Sequence, residues 1–183
     1  MIIPILIALA VTAGDIVTKL LVAGRLPFGA DVPVINGVLR FTNVSNPGMA
    51  FGLLGSSRWI FISLSVVLLA VLGIVFVKER NYAKCVYVFF ALIFGGGLGN
   101  LIDRVVSFGV YDAPGSVVDF IDFCAFPELW KWTFNVADAG VTVGVFLFIG
   151  YLLFFDKKAY EHGKTPVLYE DKTKKDRRNG EDA

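Results

Sequence analysis

Residues 134–155, FNVADAGVTVGVFLFIGYLLFF, decide the fold, because this predominantly apolar run carries a single charge, Asp138. A run of about 20 such residues is long enough to cross a bilayer as a helix. Three further stretches qualify on the same ground, residues 2–22, 59–77 and 85–102. The sequence therefore predicts an all-α membrane protein with four transmembrane helices.

The composition agrees with this class, since 56% of the 183 residues are hydrophobic. The first stretch has a small-x-small pattern at residues 8–10 and could instead be a cleaved signal peptide. Its N-terminus lacks the basic residues of a signal peptide, and apolar character resumes beyond Lys19. We therefore expect residues 2–22 to be a retained span.

Residues 156–183 differ from the rest of the chain. They hold eight of its 17 Lys and Arg residues and seven of its 16 Asp and Glu residues. Such mixed charge predicts a disordered tail, while the formal net charge of +1 indicates no particular partner. The four-span domain is therefore residues 1–155, in which residues 23–58 and 103–133 form the two long connections.

The basic residues near the span ends predict an orientation. Three of them lie in the short connection of residues 78–84, and Lys157 and Lys158 follow the fourth span directly. Cytoplasmic loops of membrane proteins carry an excess of Lys and Arg. We therefore predict that both termini and the tail are cytoplasmic and that the two long connections lie outside.

On this topology the polar residues of the spans fall at one level, near the outer leaflet. They are Asp15 and Lys19 in span one, Asn100, Asp103 and Arg104 at the end of span three, and Asn135 and Asp138 at the start of span four. A transporter more often places its site near the midplane. The pattern indicates a site at the outer interface, close to which Asp119 lies in an outer loop.

Two of these acids suggest a chemistry. Asp119 lies in the apolar run of residues 117–121, and an ionisable group inside a membrane segment, such as Asp138, costs about 2.5–3.5 kcal/mol on insertion scales. Two close carboxylates share one proton, so one can accept a proton from an attacking water while the other donates to a carbonyl oxygen. This is the chemistry of an aspartyl hydrolase. Asp122 also lies on the outer side, and the residues alone do not rank it below Asp119.

Other chemistries are excluded by composition. The single histidine, His162, lies in the cytoplasmic tail, which removes Ser-His and Cys-His hydrolysis and a His-Glu-x-x-His zinc site. Cys85 and Cys124 are predicted on opposite faces of the membrane, about 30 Å apart, so they form neither a disulfide nor a metal cluster.

Several polar residues have two readings. Asp15 and Lys19 are four residues apart, which favours an ion pair on one helix face over a direct catalytic role. Asp103 and Arg104 could be an interfacial charge pair, or Arg104 could hold a carboxylate or a lipid phosphate. Residues 95–99, GGGLG, lie in an apolar span and predict close helix packing rather than a phosphate loop.

Residues 37–45 are rich in β-branched and aromatic residues and predict a strand, hence a small β-rich cradle on the extracytoplasmic side. Asn46-Pro47-Gly48 follows as a turn signal. Asn46 can be explained by turn chemistry or by a position at the edge of the site, and the sequence leaves the two about even.

Taken together, these motifs resemble the lipoprotein signal peptidases (signal peptidase II), four-span bacterial membrane aspartyl proteases, over residues 1–155. Gly97 and Met49 stand where that family usually has Ala, and Ala139 where it often has Ser, which bears on packing and groove shape but not on the acids. The five matching segments are DIVTK at 15–19, NPGMAFG at 46–52, GGGLGNLIDR at 95–104, VVDF at 117–120 and FNVAD at 134–138.

The resemblance implies an aspartic endopeptidase that cuts diacylglyceryl-modified prolipoproteins just before the lipidated cysteine, without a cofactor. It implies that Asp119 and Asp138 are the catalytic pair. The positions it implies for substrate binding or support are Asp15, Lys19, Asn46, Gly48, Asn100, Arg104, Val118, Asn135 and Ala137.

The resemblance also sets the expected surroundings. We expect a monomer in the bacterial inner membrane, acting on a lipid-modified prolipoprotein among membrane lipids, with no nucleic acid partner. The two outer connections would form a cradle and a loop or short-helix lid over the site. The competing hypothesis is a non-catalytic small transporter or assembly subunit, for which Asp15 and Lys19 would matter as much as Asp119.

Overall fold

Four long helices form the body of the computed structural model, which describes residues 2–48, 58–78, 84–106 and 115–156. Each is long and apolar enough to cross a membrane, so the predicted four-span fold is confirmed. The helices are α1 Ile2–Arg25, α2 Arg58–Lys78, α3 Lys84–Val106 and α4 Val136–Tyr151, which continues as a π-helical turn over Leu152–Asp156. The predicted tail, from residue 157 onward, lies outside the described residues.

Three helix boundaries differ from the predicted spans by two residues or more. The first helix continues to Arg25, past the predicted end at residue 22. The third helix continues to Val106, past the predicted end at residue 102, because Asp103 pairs with Lys19 of α1 and Arg104 donates to the carbonyl oxygen of Asn100. The fourth helix begins at Val136, two residues later than predicted, since Phe134 belongs to a strand and Asn135 is the helix N-cap.

A four-stranded antiparallel sheet adjoins one end of the helices, with the spatial order β1-β2-β3-β4. The strand predicted over residues 37–45 is present as β2, and the β-rich cradle is confirmed. The predicted lid remains a prediction, because residues 49–57 and 107–114 of the outer connections lie outside the described residues. The strands are β1 Asp31–Ile35, β2 Leu39–Asn46, β3 Val117–Phe123 and β4 Thr133–Phe134.

Helix α3 lies at the centre and packs against α1, α2 and α4. Its glycines permit close approach, as predicted. A Cβ at Gly95 would lie 2.6 Å from the carbonyl oxygen of Ala8 on α1, and a Cβ at Gly96 would clash with the carbonyl oxygen of Ala137 on α4. These close contacts pack α1, α3 and α4, the three helices that carry the polar residues, tightly together.

The bundle has two chemically different ends. We call the end next to the sheet the polar end; its buried side chains include Asp15, Lys19, Asp103 and Asn135. We call the other the apolar end, where Val86, Phe90 and Tyr151 form a core cluster with Leu72, Val75, Phe76, Phe89 and Phe148 packed against it. The first place to look for chemistry is therefore the polar end.

Candidate active site

Strand β3 places Asp119 and Asp122 in different surroundings. Side chains alternate between the two faces of a strand, so residues three apart point to opposite faces. Asp122 accepts a 2.5 Å hydrogen bond from Nε of Arg40, whose Nη1 lies 2.9 Å from Asp31, and is thereby part of an ion-pair group on the sheet. Asp119 is 2% exposed and faces the helices. The structure therefore separates two acids that the sequence did not rank.

Asp138 lies in the first turn of α4, where it forms a capping box with Asn135. The backbone N–H of Asp138 donates to Oδ1 of Asn135 over 2.9 Å, and the backbone N–H of Asn135 donates to Oδ2 of Asp138 over 3.2 Å. These bonds satisfy donors that a helix N-terminus leaves unpaired, and this end of a helix also favours negative charge. The carboxyl group of Asp138 is therefore fixed in position at a helix N-terminus.

Two amide side chains connect the two acids. Nδ2 of Asn135 donates to Oδ1 of Asp119 over 2.6 Å and to Oδ1 of Asn100 over 3.1 Å. Nδ2 of Asn100 donates to Oδ1 of Asp138 over 2.7 Å. The strand, α3 and the start of α4 thus bring Asp119 and Asp138 to one place, and the two amides fix their carboxyl groups relative to each other.

Asn46 serves both of the roles between which its sequence could not decide. Its Oδ1 accepts the backbone N–H of Gly48 over 2.9 Å, which is turn chemistry. Its Nδ2 donates to Oδ2 of Asp119 over 2.8 Å. Gly48 has a φ of 87°, and a Cβ there would lie 2.6 Å from the ring of Phe61, so glycine suits this position both in backbone conformation and in space.

The predicted ion pair of Asp15 and Lys19 is present and fully buried. Nζ of Lys19 lies 2.6 Å from Oδ2 of Asp15, and the two side chains are 1% and 0% exposed. The same ammonium lies 3.1 Å from Oδ2 of Asp103 and donates to Oδ1 of Asn100 over 2.9 Å. Asp103 therefore pairs with Lys19 rather than with Arg104, its neighbour in the sequence.

Arg104 lies on the last turn of α3, close enough to both Asp119 and Asp138 for electrostatic interaction. Its Nη1 donates to the carbonyl oxygen of Asn100 over 3.3 Å, and its guanidinium lies 5.5 Å from the ring centroid of Phe61. Its Nε has no hydrogen-bond partner within the described residues. This side chain can offer donors to a further group at the site.

Burial sets the electrostatics of Asp119. Loss of solvent, followed by repulsion from the charge of Asp138, raises the pKa of Asp119 to about 7. The hydrogen bonds from Asn46 and Asn135 and the charge of Lys19 oppose this shift without cancelling it. Near neutral pH Asp119 can therefore hold the proton that the pair shares.

Val118 and Ala137 contribute backbone groups. The N–H of Val118 donates to Oδ2 of Asp103 over 3.2 Å, and the N–H of Ala137 donates to Oδ1 of Asp15 over 2.8 Å. The structure thus gathers every predicted site residue around one place. Sequence reasoning missed Asp103 as a contributor; its signal was its spacing of three residues from Asn100, which puts the two on one helix face.

Among the described residues, no group of three or more His, Cys, Asp or Glu side chains is placed to hold a metal ion. The donors around Asp119 and Asp138 are amide, guanidinium and backbone N–H groups.

Comparison with known proteins identifies a family. A sequence model described as "Signal peptidase (SPase) II" matches residues 7–154. The lipoprotein signal peptidase of Clostridioides difficile is 38% identical over 155 residues, which cover 85% of this chain and 97% of that protein. The lipoprotein signal peptidase of Halothermothrix orenii is 39% identical over 147 residues, which cover 80% and 92%.

The fold comparison agrees. A solved structure described as a bacterial membrane enzyme, at 2.3 Å resolution, superposes with a TM-score of 0.75 at 35% identity and covers 90% of this chain and 93% of that one. A second, described in the same words at 1.9 Å resolution, gives a TM-score of 0.74 at 36% identity and covers 84% and 94%. The resemblance that the five sequence motifs indicated is confirmed.

Proposed function

This chain belongs to the signal peptidase II family of aspartic peptidases, and on that premise we propose that it removes the signal peptide from lipid-modified prolipoproteins. Asp119 and Asp138 are the catalytic pair in this proposal, cutting the bond just before the lipidated cysteine. One observation carries it: two carboxyl groups from different elements are joined through Asn100 and Asn135 at one end of the bundle.

The surroundings of the two acids give them different roles. Asp119 holds the shared proton, because its burial and the neighbouring charge raise its pKa to about 7. Asp138 is the ionised partner, since it accepts a backbone N–H and a side-chain N–H at the positive end of α4 and is less buried than Asp119. Asp138 is then the general base and Asp119 the general acid.

The reaction balances with these two groups alone. Asp138 takes a proton from water as its oxygen bonds to the scissile carbonyl carbon, and Asp119 gives its proton to the carbonyl oxygen. The C–N bond then breaks, Asp138 passes its proton to the leaving nitrogen, and Asp119 recovers a proton from a hydroxyl of the tetrahedral intermediate. Both acids return to their starting states, with no covalent acyl-enzyme formed.

Neighbouring side chains orient the substrate and the pair. Arg104 can donate to a substrate carbonyl through its Nε, which has no hydrogen-bond partner among the described residues. The two carboxyl groups are held in fixed positions by hydrogen bonds from Asn46, Asn100 and Asn135. These assignments follow from geometry and can each be tested by substitution.

We place the site at the outer leaflet, with both termini cytoplasmic, on the strength of the basic residues in the short connection. An apolar cleft of about 560 Å³ between α2, α3 and α4 is lined by Leu69, Gly97 and Val141 among others. It gives the acyl chains of the lipidated cysteine a place beside the site, so that the scissile amide alone need reach the acids.

A fluorescent lipopeptide assay on detergent-purified protein tests the function. The unchanged protein should cleave the peptide before the lipidated cysteine, while Asp119→Asn and Asp138→Asn should lose about 10⁴-fold or more in kcat, as loss of a member of a catalytic unit does. Asp122→Asn is the matched control, since it lies on β3 but pairs with Arg40 across the sheet. Cleavage by the two dyad variants at the unchanged rate would refute the assignment, and a protein that never cleaves would favour the transporter hypothesis.

A further inference from the structure

The two residues that precede the proposed catalytic acids are held in the same way. Val118, immediately before Asp119, donates its backbone N–H to Oδ2 of Asp103 over 3.2 Å. Ala137, immediately before Asp138, donates its backbone N–H to Oδ1 of Asp15 over 2.8 Å. Each acid therefore follows a backbone group that a buried carboxylate holds in place.

One ammonium group joins these two carboxylates. Nζ of Lys19 lies 2.6 Å from Asp15 and 3.1 Å from Asp103, and the three side chains are between 0% and 2% exposed. A continuous chain of charged contacts therefore runs from the backbone of β3 to the first turn of α4. It crosses α1 and α3 on the way.

We propose that this chain of Asp15, Lys19 and Asp103, the ionic brace, sets the separation of Asp119 and Asp138. Asp103 is then a positioning residue for the reaction, acting through the backbone of β3. The inference rests on the proposed function, because it assumes that Asp119 and Asp138 react together. A positional error of about 1 Å can cost about 10²-fold in rate, so disrupting the ionic brace should lower kcat measurably.

The charges of the brace argue against simple neutralisation. A single carboxylate already neutralises Lys19, and Asp15 fills that role as its i,i−4 partner on α1. A second carboxyl group is not needed for that purpose, and burying a further polar group without a partner is itself costly. Asp103 offsets part of this cost by accepting the N–H of Val118, which is the bond that attaches β3 to the brace.

The test compares two replacements of Asp103. Oδ2 of Asp103 accepts from both Val118 and Lys19, so an amide oxygen in Asp103→Asn can keep both bonds, whereas Asp103→Ala loses both. We expect Asp103→Ala to lower kcat about 10²-fold with KM within twofold, and Asp103→Asn to recover most of that loss. Asp122→Ala on β3, the strand that carries Val118, is the control and should keep kcat within twofold.

A second variant keeps the test decisive if Asp103→Ala does not fold. Lys19→Arg retains the positive charge and both ion pairs but changes their reach and geometry. A brace that sets a distance predicts about a tenfold or greater loss of kcat in folded Lys19→Arg protein, with the folded fraction measured by gel filtration in detergent. Mere neutralisation predicts an unchanged kcat.

The outcomes separate this inference from the proposed function. Unchanged kcat in both Asp103→Ala and Lys19→Arg, with Asp119→Asn and Asp138→Asn inactive, would overturn the brace and leave the peptidase assignment in place. Equal losses in Asp103→Ala and Asp103→Asn would also overturn it, because charge rather than the bond to Val118 would then be the cause. Activity in Asp119→Asn would overturn the proposed function itself.

Discussion

The polar and apolar ends of the bundle are stabilised by different kinds of contact. At the apolar end, Phe90 and Phe148 pack with their ring centroids 5.3 Å apart, and apolar contacts of this kind are adjustable because they lack direction. At the polar end, Asp15, Lys19 and Asn135 are at most 1% exposed and each has a specific hydrogen-bond partner. Removing one partner there strands a buried polar group, which costs several kcal/mol. We therefore expect the apolar end to tolerate substitution and the polar end to resist it.

Apart from the catalytic pair itself, the largest effect is expected at the helix crossing that supports the polar end. Gly96→Ala would drive a methyl group into the carbonyl oxygen of Ala137, one residue before Asp138. The first turn of α4 must then move, and we expect kcat to fall about 10²-fold in the lipopeptide assay.

The adjacent glycine supplies the matched control for this crossing. A Cβ at Gly97 meets only Cδ2 of Leu69 within 3 Å, and Leu69 is a flexible side chain that can shift. Gly97→Ala should therefore keep kcat within twofold. Gly97 also lines the cleft proposed for the acyl chains, so the two variants are compared by kcat and not by KM. Comparable losses in the two variants would show that the polar end is no more constrained than its surroundings.

The next effect concerns pH. The general acid must be protonated, so kcat/KM, which reports the pKa values of the free enzyme, should fall as pH rises through about 7, the pKa of Asp119. The sign for stability is the same: a carboxyl whose pKa is raised by folding favours the folded state at low pH, and this contribution is lost as pH rises from about 4 to 7. Rate profiles and denaturant titrations across this range measure both. In Asp119→Asn the fall in stability across this window should be smaller.

A smaller effect is expected at Asn46. Asn46→Ala removes the donor to Asp119 and the acceptor for Gly48, and we expect about a tenfold loss of kcat. The hydrogen bond from Asn46 lowers the pKa of Asp119, so its loss raises that pKa and the alkaline limb of the profile should move to higher pH. Asn36→Ala, in the exposed turn between β1 and β2, is the control. A limb that moves to lower pH in Asn46→Ala would contradict this account.

The smallest effect is expected at the apolar end. Phe148→Leu replaces one aromatic ring of the cluster around Phe90 with a smaller aliphatic side chain. Such a partial loss of apolar volume lowers the free energy of unfolding by about 1 kcal/mol. The catalytic pair is untouched, so kcat should stay within twofold while the thermal midpoint falls by a few degrees. Phe148 also lines the cleft proposed for the acyl chains, so any effect on the reaction is expected in KM. A large loss of activity here would mean that the two ends of the bundle are coupled more strongly than their contacts indicate.

Structural features that depend on residues close together in the sequence could be predicted from it. Apolar runs predicted the spans, and the spacing of Asp15 and Lys19 predicted their pair, because helices bring together residues four apart. Features that depend on the pairing of strands far apart in the sequence could not be predicted. Strand β3 pairs with β2 across about 75 residues, so the faces of Asp119 and Asp122 became clear only once β3 was known to be a strand.

The same reason explains why Asp103 was read as a partner of Arg104. Adjacent residues on a helix point in different directions, and the partner of Asp103 comes from another helix. Asn46 shows a further limit, since turn chemistry and site chemistry use different atoms of one side chain. Turn propensity accounts for the bond from Gly48 to Oδ1 of Asn46, but it carries no information about the bond from Nδ2 of Asn46 to Asp119.

The capping box of α4 has a consequence for the second half of the proposed reaction. While Asp138 carries the proton taken from water, the helix end has lost the negative charge that its N–H groups favour. Transfer of that proton to the departing amine restores the negative charge. The N-terminus of α4 therefore favours the step that regenerates ionised Asp138 at the end of each turnover, without any conformational change.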